Sequence, residues 1–165
     1  MGKLSRRAAR ALYKNGIKPQ LFKKHPDDVH HRMVSSARHF GRGVGPLRIL
    51  AHKDKRLEQD LFGLHFANPI GISAGLDKNA EMPHVAKAIG CGFTTVGSLT
   101  DAPRRGNEHP WFYRLPKTRS LVVHVGMANI GLDKIIPRLK RRPRQFPLVA
   151  SVAVVSQKPG CNQAA

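Results

Sequence analysis

The chain of 165 residues carries 29 lysines and arginines against 10 aspartates and glutamates, and 41% of its residues are hydrophobic. This length and composition are typical of one folded domain and exclude a disordered or fibrous chain. The positive charge favours contact with a polyanion, either a nucleic acid or an anionic membrane surface, and a solvated basic face is the structural alternative.

The first 45 residues predict two helices and a linker. Residues 1–15 predict a short basic helix that ends at Gly16, with apolar side chains near one face and arginines around the rest. A second helix is predicted from Pro26 to about His39, because proline suits a first turn and the two aspartates that follow suit the positive end of the helix dipole. The glycine-rich stretch at 41–46 follows no predicted strand, so it is not expected to bind phosphate.

The chain after this linker alternates strands with helices. In chain order the pattern predicts two short strands at 57–66 around Gly63, a strand at 69–76, a helix at about 81–89, a strand at 93–100, a helix at about 130–141 and a strand at 148–155. This alternation favours a parallel α/β sheet or barrel. The last ten residues, 156–165, are polar and patternless, and they predict an unstructured tail.

The cysteines and histidines predict neither a disulfide framework nor a metal site. Cys91 and Cys161 belong to no CxxC pair, and the nine histidines never repeat at HxxxH or HExxH spacing. No run reaches the ~20 apolar residues that a spanning helix needs. The N-terminus also lacks the apolar core of a signal peptide.

The segment most informative about chemistry is NPIGISAGLDKNAE, residues 68–81. A predicted strand ends there in Ala74 and Gly75, and small residues at a strand end let a flat ligand approach the backbone. Lys78 follows, at the rim where the active sites of parallel barrels form. A fixed ammonium would stabilise the negative charge that a flavin ring acquires on accepting a hydride. A solvated lysine at a helix start is the structural alternative.

Several segments in the same order carry a resemblance to a known family. They are LFKKHPDDVHHRM (21–33), GLHFANPIGISAGLDKNAE (63–81), GFTTVGSLT (92–100) and FYRLPKTRSLVVHVGMANIGLD (112–133). In order and spacing they resemble quinone-dependent (class 2) dihydroorotate dehydrogenase, over about residues 11–154. The resemblance implies an α/β fold of the TIM (β/α)8-barrel type, incomplete here with about three parallel strands. Residues 46–155 would form this part of the flavin-binding barrel, after a basic two-helix extension at 1–45.

The family performs flavin-dependent oxidation of dihydroorotate to orotate in pyrimidine biosynthesis, with FMN as cofactor and a membrane quinone as electron acceptor. The resemblance implies that the basic extension rests on an anionic membrane surface. This predicts peripheral membrane association, on the cytoplasmic face if the source is bacterial. The alternative is a non-catalytic basic nucleic-acid-binding protein derived from an enzyme fragment, although no aromatic-and-basic strand motif or zinc-finger spacing supports specific nucleic-acid binding.

Five residues match positions that contact FMN in the family, namely Ala74, Gly75, Lys78, Ser98 and Ser151. Ser98 stands where the family has a threonine and keeps the hydroxyl. Ser151 stands where the class has an asparagine and is shorter. The resemblance therefore implies a flavin site built along the ends of the three parallel strands.

The substrate positions follow from the same resemblance. Lys78 also matches a residue that reaches the orotate, and the other substrate positions of the family correspond to His124, Gly126, Met127 and Asn129. Val123 replaces an asparagine that bonds the orotate ring in the family. A site built on such bonds loses affinity when one partner becomes apolar, so weak orotate binding is expected.

Two further residues, His30 and Arg114, match positions that line the quinone tunnel. A capping or surface histidine and a surface ion pair are the structural alternatives. The family's catalytic serine lies beyond its third strand, and nothing after Val155 resembles it. Because a (β/α)8 barrel needs roughly 250 residues, little or no turnover is expected from these 165 residues alone, and open strand edges are expected to favour association.

Overall fold

The N-terminal part of the molecule is helical in the computed structural model, which describes residues 3–40 and 43–155. Its elements are α1 (Lys3–Leu12), a π-helical turn (Tyr13–Ile17), α2 (Lys18–Phe22) and α3 (Pro26–Phe40). The first three are continuous, so the prediction that the helix ends at Gly16 is wrong. Gly16 lies inside the π-helical turn, and Pro19 takes an early position of α2, where a missing N–H is tolerated.

Helix α3 begins where the sequence predicts. Pro26 is its first residue, and both aspartates lie in its first turn. The buried side chains of Val34 and Ala37 pack with Met82 in a small apolar cluster. This cluster attaches the helical part to the segment around Lys78.

Three sheets follow within the described residues. The parallel sheet has the order β3 (Gly71–Ile72), β4 (Phe93–Leu99) and β7 (Leu148–Val152). Two antiparallel hairpins pair β1 (Gln59–Leu61) with β2 (Leu64–Phe66) and β5 (Phe112–Leu115) with β6 (Ser120–Val123). Helices α4 (Pro83–Ala88) and α5 (Leu132–Lys140) connect the parallel strands, and 3-10 helices lie at Gly45–Leu50 and Lys55–Leu57.

The predicted alternation of strands and helices is confirmed, with changes in length. The turn of the first hairpin contains Phe62 and Gly63, both with positive φ, as the prediction of two strands around Gly63 requires. Strand β3 is much shorter than the predicted 69–76, since Pro69 has no N–H to donate and the chain turns after Ile72. The predicted tail at 156–165 lies outside the described residues. The fold is an α/β arrangement with three parallel strands.

The core lies between the parallel sheet and α5. Val96 and Leu99 of β4 and Ile135 of α5 are almost completely buried and pack with Ala80. Because β4 is hydrogen-bonded on both sides, it is the rigid centre that fixes the ends of its neighbours.

Strand β7 is one of the two outer strands of this sheet, and several of its apolar side chains are open to solvent. Val149 is 48% exposed, Val152 67% and the following Val154 98%. Exposed apolar strands of this kind favour association. Across the described ranges, we find no helix with the length and apolarity to cross a membrane.

Candidate active site

Lys78 lies directly beyond β3 with its side chain buried. Its Nζ donates hydrogen bonds to the carbonyl oxygen of Gly75 (2.8 Å) and to Nε2 of His30 (3.1 Å). The ring centroids of Trp111 and Phe112 lie 5.8 and 5.5 Å from Nζ. The residue is only 9% exposed, so the alternative of a solvated lysine is wrong. The ammonium is held at the carboxyl end of the parallel sheet.

Burial shapes the protonation of this pair. It lowers the pKa of Lys78, while the charges of Asp77 and Asp27 act in the opposite direction. Burial and the neighbouring ammonium lower the pKa of His30 to about 4. The imidazole of His30 is therefore neutral at physiological pH, and its Nε2 is free to accept the hydrogen bond from Lys78.

Asp77 stabilises the turn in which Lys78 lies. The Asp77 carboxylate is fully buried and accepts hydrogen bonds from the backbone amides of Glu81 (2.8 Å) and Met82 (2.9 Å). Burial raises the pKa of Asp77, against the effect of these hydrogen bonds. This role of Asp77 was not predicted from the sequence, although a carboxylate that accepts hydrogen bonds from amides four and five residues later is a local capping pattern.

Small residues at the strand ends form what we call the strand-end ledge, which consists of Ala74, Gly75, Ser98 and Ser151. Gly75 has φ +100°, and no atom lies within 4 Å of the position that a Cβ would take there. Its N–H donates to the carbonyl oxygen of Gly97 in β4 (2.8 Å). The hydroxyls of Ser98 and Ser151 lie 3.1 Å apart on adjacent parallel strands. The ledge thus combines an open backbone surface with two hydroxyls.

Asp27, at the start of α3, holds the aromatic residues in place beside Lys78. Its carboxylate accepts hydrogen bonds from the backbone amides of Trp111 (2.9 Å) and Phe112 (3.0 Å) and from Nδ1 of His109 (2.6 Å). Burial acts to raise the pKa of Asp27, but these hydrogen bonds outweigh it and the pKa is lowered. We call this contact the Asp27 clamp. From the sequence, Asp27 was predicted only to interact with the dipole of α3.

His30 and Arg114 lie on one line of contacts that leads from α2 to Lys78. The Arg114 guanidinium stacks over the Phe22 ring at 4.7 Å and donates to the carbonyl oxygen of Lys24 (2.7 Å). Phe112 lies two residues earlier on β5, hence on the same face, and its ring centroid is 5.1 Å from that of His30. The alternative of a surface ion pair for Arg114 is therefore wrong. The alternative of a surface position for His30 is wrong as well.

The loop with the predicted substrate residues lies partly apart from Lys78. His124 is exposed, and its Nε2 accepts a hydrogen bond from the Asn107 amide (3.0 Å). Gly126 has φ +70° and packs so closely on Asn107 that a Cβ would lie 2.5 Å from its side-chain oxygen. The side chains of Met127 and Val123 are about half exposed, at 49% and 56%.

Asn129 is the member of this loop that reaches the cavity beside Lys78. Its side chain is buried and donates to Oγ1 of Thr100 (2.7 Å) and to the carbonyl oxygen of Met127 (2.9 Å), and it accepts from the amide of Gly131 (2.8 Å). Its amide group is thus occupied by contacts with Thr100, at the end of β4, and with its own loop. The cavity, of about 360 Å³, lies between α3 and the loops at 104–111 and 128–130.

Comparisons with known proteins point to one family. A family model described as dihydroorotate dehydrogenase matches residues 56–162. A protein of Christiangramia forsetii named dihydroorotate dehydrogenase (quinone) is 35% identical over 133 residues, which cover 78% of this chain and 39% of that protein. A protein of the same name from Parvibaculum lavamentivorans is 38% identical over 140 residues, which cover 85% and 39%.

A solved structure is similar as well. The crystal structure of ligand-free DHODH from Eimeria tenella has a TM-score of 0.65 and 28% identity, covering 80% of this chain and 39% of that one. The chain therefore spans about two fifths of the length of the relatives it matches. All of these proteins are named as dehydrogenases, so the nucleic-acid-binding alternative gains no support.

Proposed function

The chain belongs to the dihydroorotate dehydrogenase family, and on this premise we propose that it contributes the lysine-bearing side of the flavin site in a quinone-dependent dihydroorotate dehydrogenase. The proposed reaction is the oxidation of dihydroorotate to orotate with transfer of the electrons to a membrane quinone. The observation that carries the proposal is the buried ammonium of Lys78 beside the strand-end ledge.

The three parallel strands would form the first part of a TIM barrel. Strands β3, β4 and β7 lie side by side in the sheet in their order along the chain. Helix α4 joins β3 to β4, and α5 leads into β7 after the intervening β5–β6 hairpin, as in a (β/α) succession with an insertion. The strand-end ledge lies at their carboxyl ends, which is the face where barrels of this type bind their ligands. The relatives are about twice as long as this chain, and the proposal places the remaining strands of the barrel in the part of their length that this chain does not match.

The strand-end ledge fits the flat ring of FMN. The open space above Gly75 lets a planar group approach the backbone, and the hydroxyls of Ser98 and Ser151 offer hydrogen bonds along the strand ends. Bound FMN would supply the hydride-accepting chemistry. The hydrogen bonds of Lys78 go to two neutral acceptors and, within the described residues, no carboxylate forms an ion pair with it. A buried charge without a partner is costly, so this ammonium is suited to a ligand that carries or acquires negative charge.

The remaining roles follow from position. His30, Phe112 and Arg114 would line the path of the quinone from α2 to the flavin. In the substrate loop, Asn129 would fix the backbone while His124, Gly126 and Met127 contact the orotate. The basic helices would rest on an anionic membrane surface, giving peripheral association.

Flavin binding by the 165-residue chain tests the proposal. Titration of FMN, followed by quenching of its fluorescence, is expected to show binding that Lys78→Met weakens about tenfold to hundredfold, as for loss of a charge-assisted contact. Lys134→Met, which alters an exposed lysine of α5, is the control and should leave the affinity unchanged. Equal affinity of both variants would contradict the assignment.

Turnover is a separate measurement. With dihydroorotate, FMN and a soluble quinone, these residues alone are expected to give little or no orotate, because the family's serine base has no counterpart in them. Robust turnover would show that the expectation of a missing base is wrong.

A further inference from the structure

The cavity beside Lys78 has more positive charge than the proposed flavin chemistry, which uses Lys78 alone, requires. Four of its lining residues are cations at neutral pH, and one, Glu81, is an anion. The cations are Lys78, Arg38, Arg104 and Arg105. We call the part of the cavity that the three arginines line the arginine pocket.

Glu81 does not neutralise this pocket. Its carboxylate lies 3.0 Å from Nη1 of Arg138, which lies outside the lining, and 3.6 Å from Nη1 of Arg38. Glu81 is therefore shared between two arginines, and its single charge cannot balance the three arginines of the pocket. The arginine pocket therefore keeps a positive electrostatic potential. The low dielectric constant of the cavity wall strengthens this potential.

Arg104 lies in the wall of the cavity, and its guanidinium needs a hydrogen-bond acceptor. Its backbone is fixed by two hydrogen bonds with Asn129, at 2.9 and 3.0 Å. Its Nε is buried and has no hydrogen-bond partner among the described residues. Buried donors in native proteins are nearly always paired, and a guanidinium suits the oxygens of a phosphate or carboxylate.

We propose that the arginine pocket binds a phosphate group, as free phosphate or as a phosphate monoester. Ser35 and Asn79 also line the cavity and offer neutral donors. The volume of about 360 Å³ exceeds that of a lone phosphate, so it has room for the organic part of an ester. The ester is either a small metabolite or the headgroup of a lipid. A lipid headgroup is considered because α3 belongs to the basic helices that we propose rest on a membrane.

Calorimetric titration of the purified chain with inorganic phosphate and glycerol 3-phosphate, at ionic strength held constant with sodium chloride, tests the site. Saturable binding is expected, and Arg104→Gln should weaken it about tenfold to hundredfold. Arg105→Gln, at an exposed position that carries no risk to folding, should weaken it as well. Arg142→Gln is the control, since that exposed arginine lies just after α5 and donates to the carbonyl oxygen of Leu139 in the last turn of that helix.

Absence of saturable binding, or equal weakening by all three variants, would overturn the proposal. Displacement of phosphate by orotate would also overturn it, because the pocket would then belong to the substrate.

Vesicles of phosphatidylcholine that contain phosphatidic acid or phosphatidylglycerol, at matched surface charge, separate the two sources. Selective loss of phosphatidic acid binding in Arg104→Gln supports a lipid headgroup. Unchanged vesicle binding, with phosphate binding lost, supports a soluble phosphate.

Discussion

Replacing Asp27 with alanine is expected to loosen the Asp27 clamp and to destabilise the protein. The carboxylate accepts two backbone hydrogen bonds, from Trp111 and Phe112, and one from the His109 ring. Alanine would leave two backbone N–H groups without an acceptor, at about 1–3 kcal/mol for each one that stays buried. We therefore expect the free energy of unfolding to fall by about 2–5 kcal/mol, a large share of the roughly 5–15 kcal/mol typical of a domain.

Urea unfolding followed by tryptophan fluorescence measures this effect directly. Trp111 is the only tryptophan of the chain and is itself held by the clamp. In Asp27→Ala its native emission should move to longer wavelength, because the ring, now 8% exposed, would reach water. Asp28→Ala is the matched control, since it removes the same charge from the same helical turn at an exposed position. Equal effects of the two variants, or a change below about 0.5 kcal/mol, would refute the reasoning.

The clamp also predicts a sensitivity to acid. The pKa of Asp27 in the folded protein lies below its ordinary value of 3.8, so its contribution to stability is complete above that value. This contribution is lost as the pH falls through the lower, folded-state pKa. Wild type should therefore lose stability more steeply than Asp27→Ala below about pH 4.

Two further substitutions test the sheet and the histidine beside Lys78. Gly97→Ala should cost about 2–4 kcal/mol, because its Cβ would lie 2.4 Å from the carbonyl oxygen of Ser151 at φ +121°. Gly45→Ala, with no atom within 4 Å, is the control, and equal melting temperatures would contradict the clash. His30→Gln should reduce the loss of stability between pH 6.5 and about 4, since the unfolded chain takes up a proton there that the folded protein excludes. Urea unfolding at several pH values measures this, and an unchanged profile would count against a neutral, half-buried His30.

The features that the sequence predicted have local signals. The start of α3 follows from a proline and two aspartates within one turn, and the first hairpin follows from Gly63 between two short apolar runs. Lys78 was predicted to follow a strand that ends in Ala74 and Gly75; in the structure β3 ends earlier, at Ile72, and these small residues lie in the turn between the strand and Lys78. In each case a few neighbouring residues determine the local structure.

The features that it did not predict depend on distant residues. The Asp27 clamp joins residues 82 to 85 positions apart, and the hydrogen bond between Lys78 and His30 spans 48. The hairpin of β5 and β6 was missed because its strands are only four residues long and largely exposed, which leaves little alternation to recognise. The burial of Asn129 likewise depends on Thr100, which is supplied by the end of another strand.

The exposed valines of β7 and the high net charge together determine how the chain behaves in salt. At a formal charge of +19, two molecules of the protein repel one another when few ions are present. This repulsion keeps the exposed strand β7 of one molecule away from β7 of another. The screening length shortens from about 30 Å at 0.01 M to about 10 Å at 0.1 M, so added salt removes this protection. Solubility should therefore decrease as buffer strength rises, and dilute, low-salt conditions are the ones in which the monomer persists.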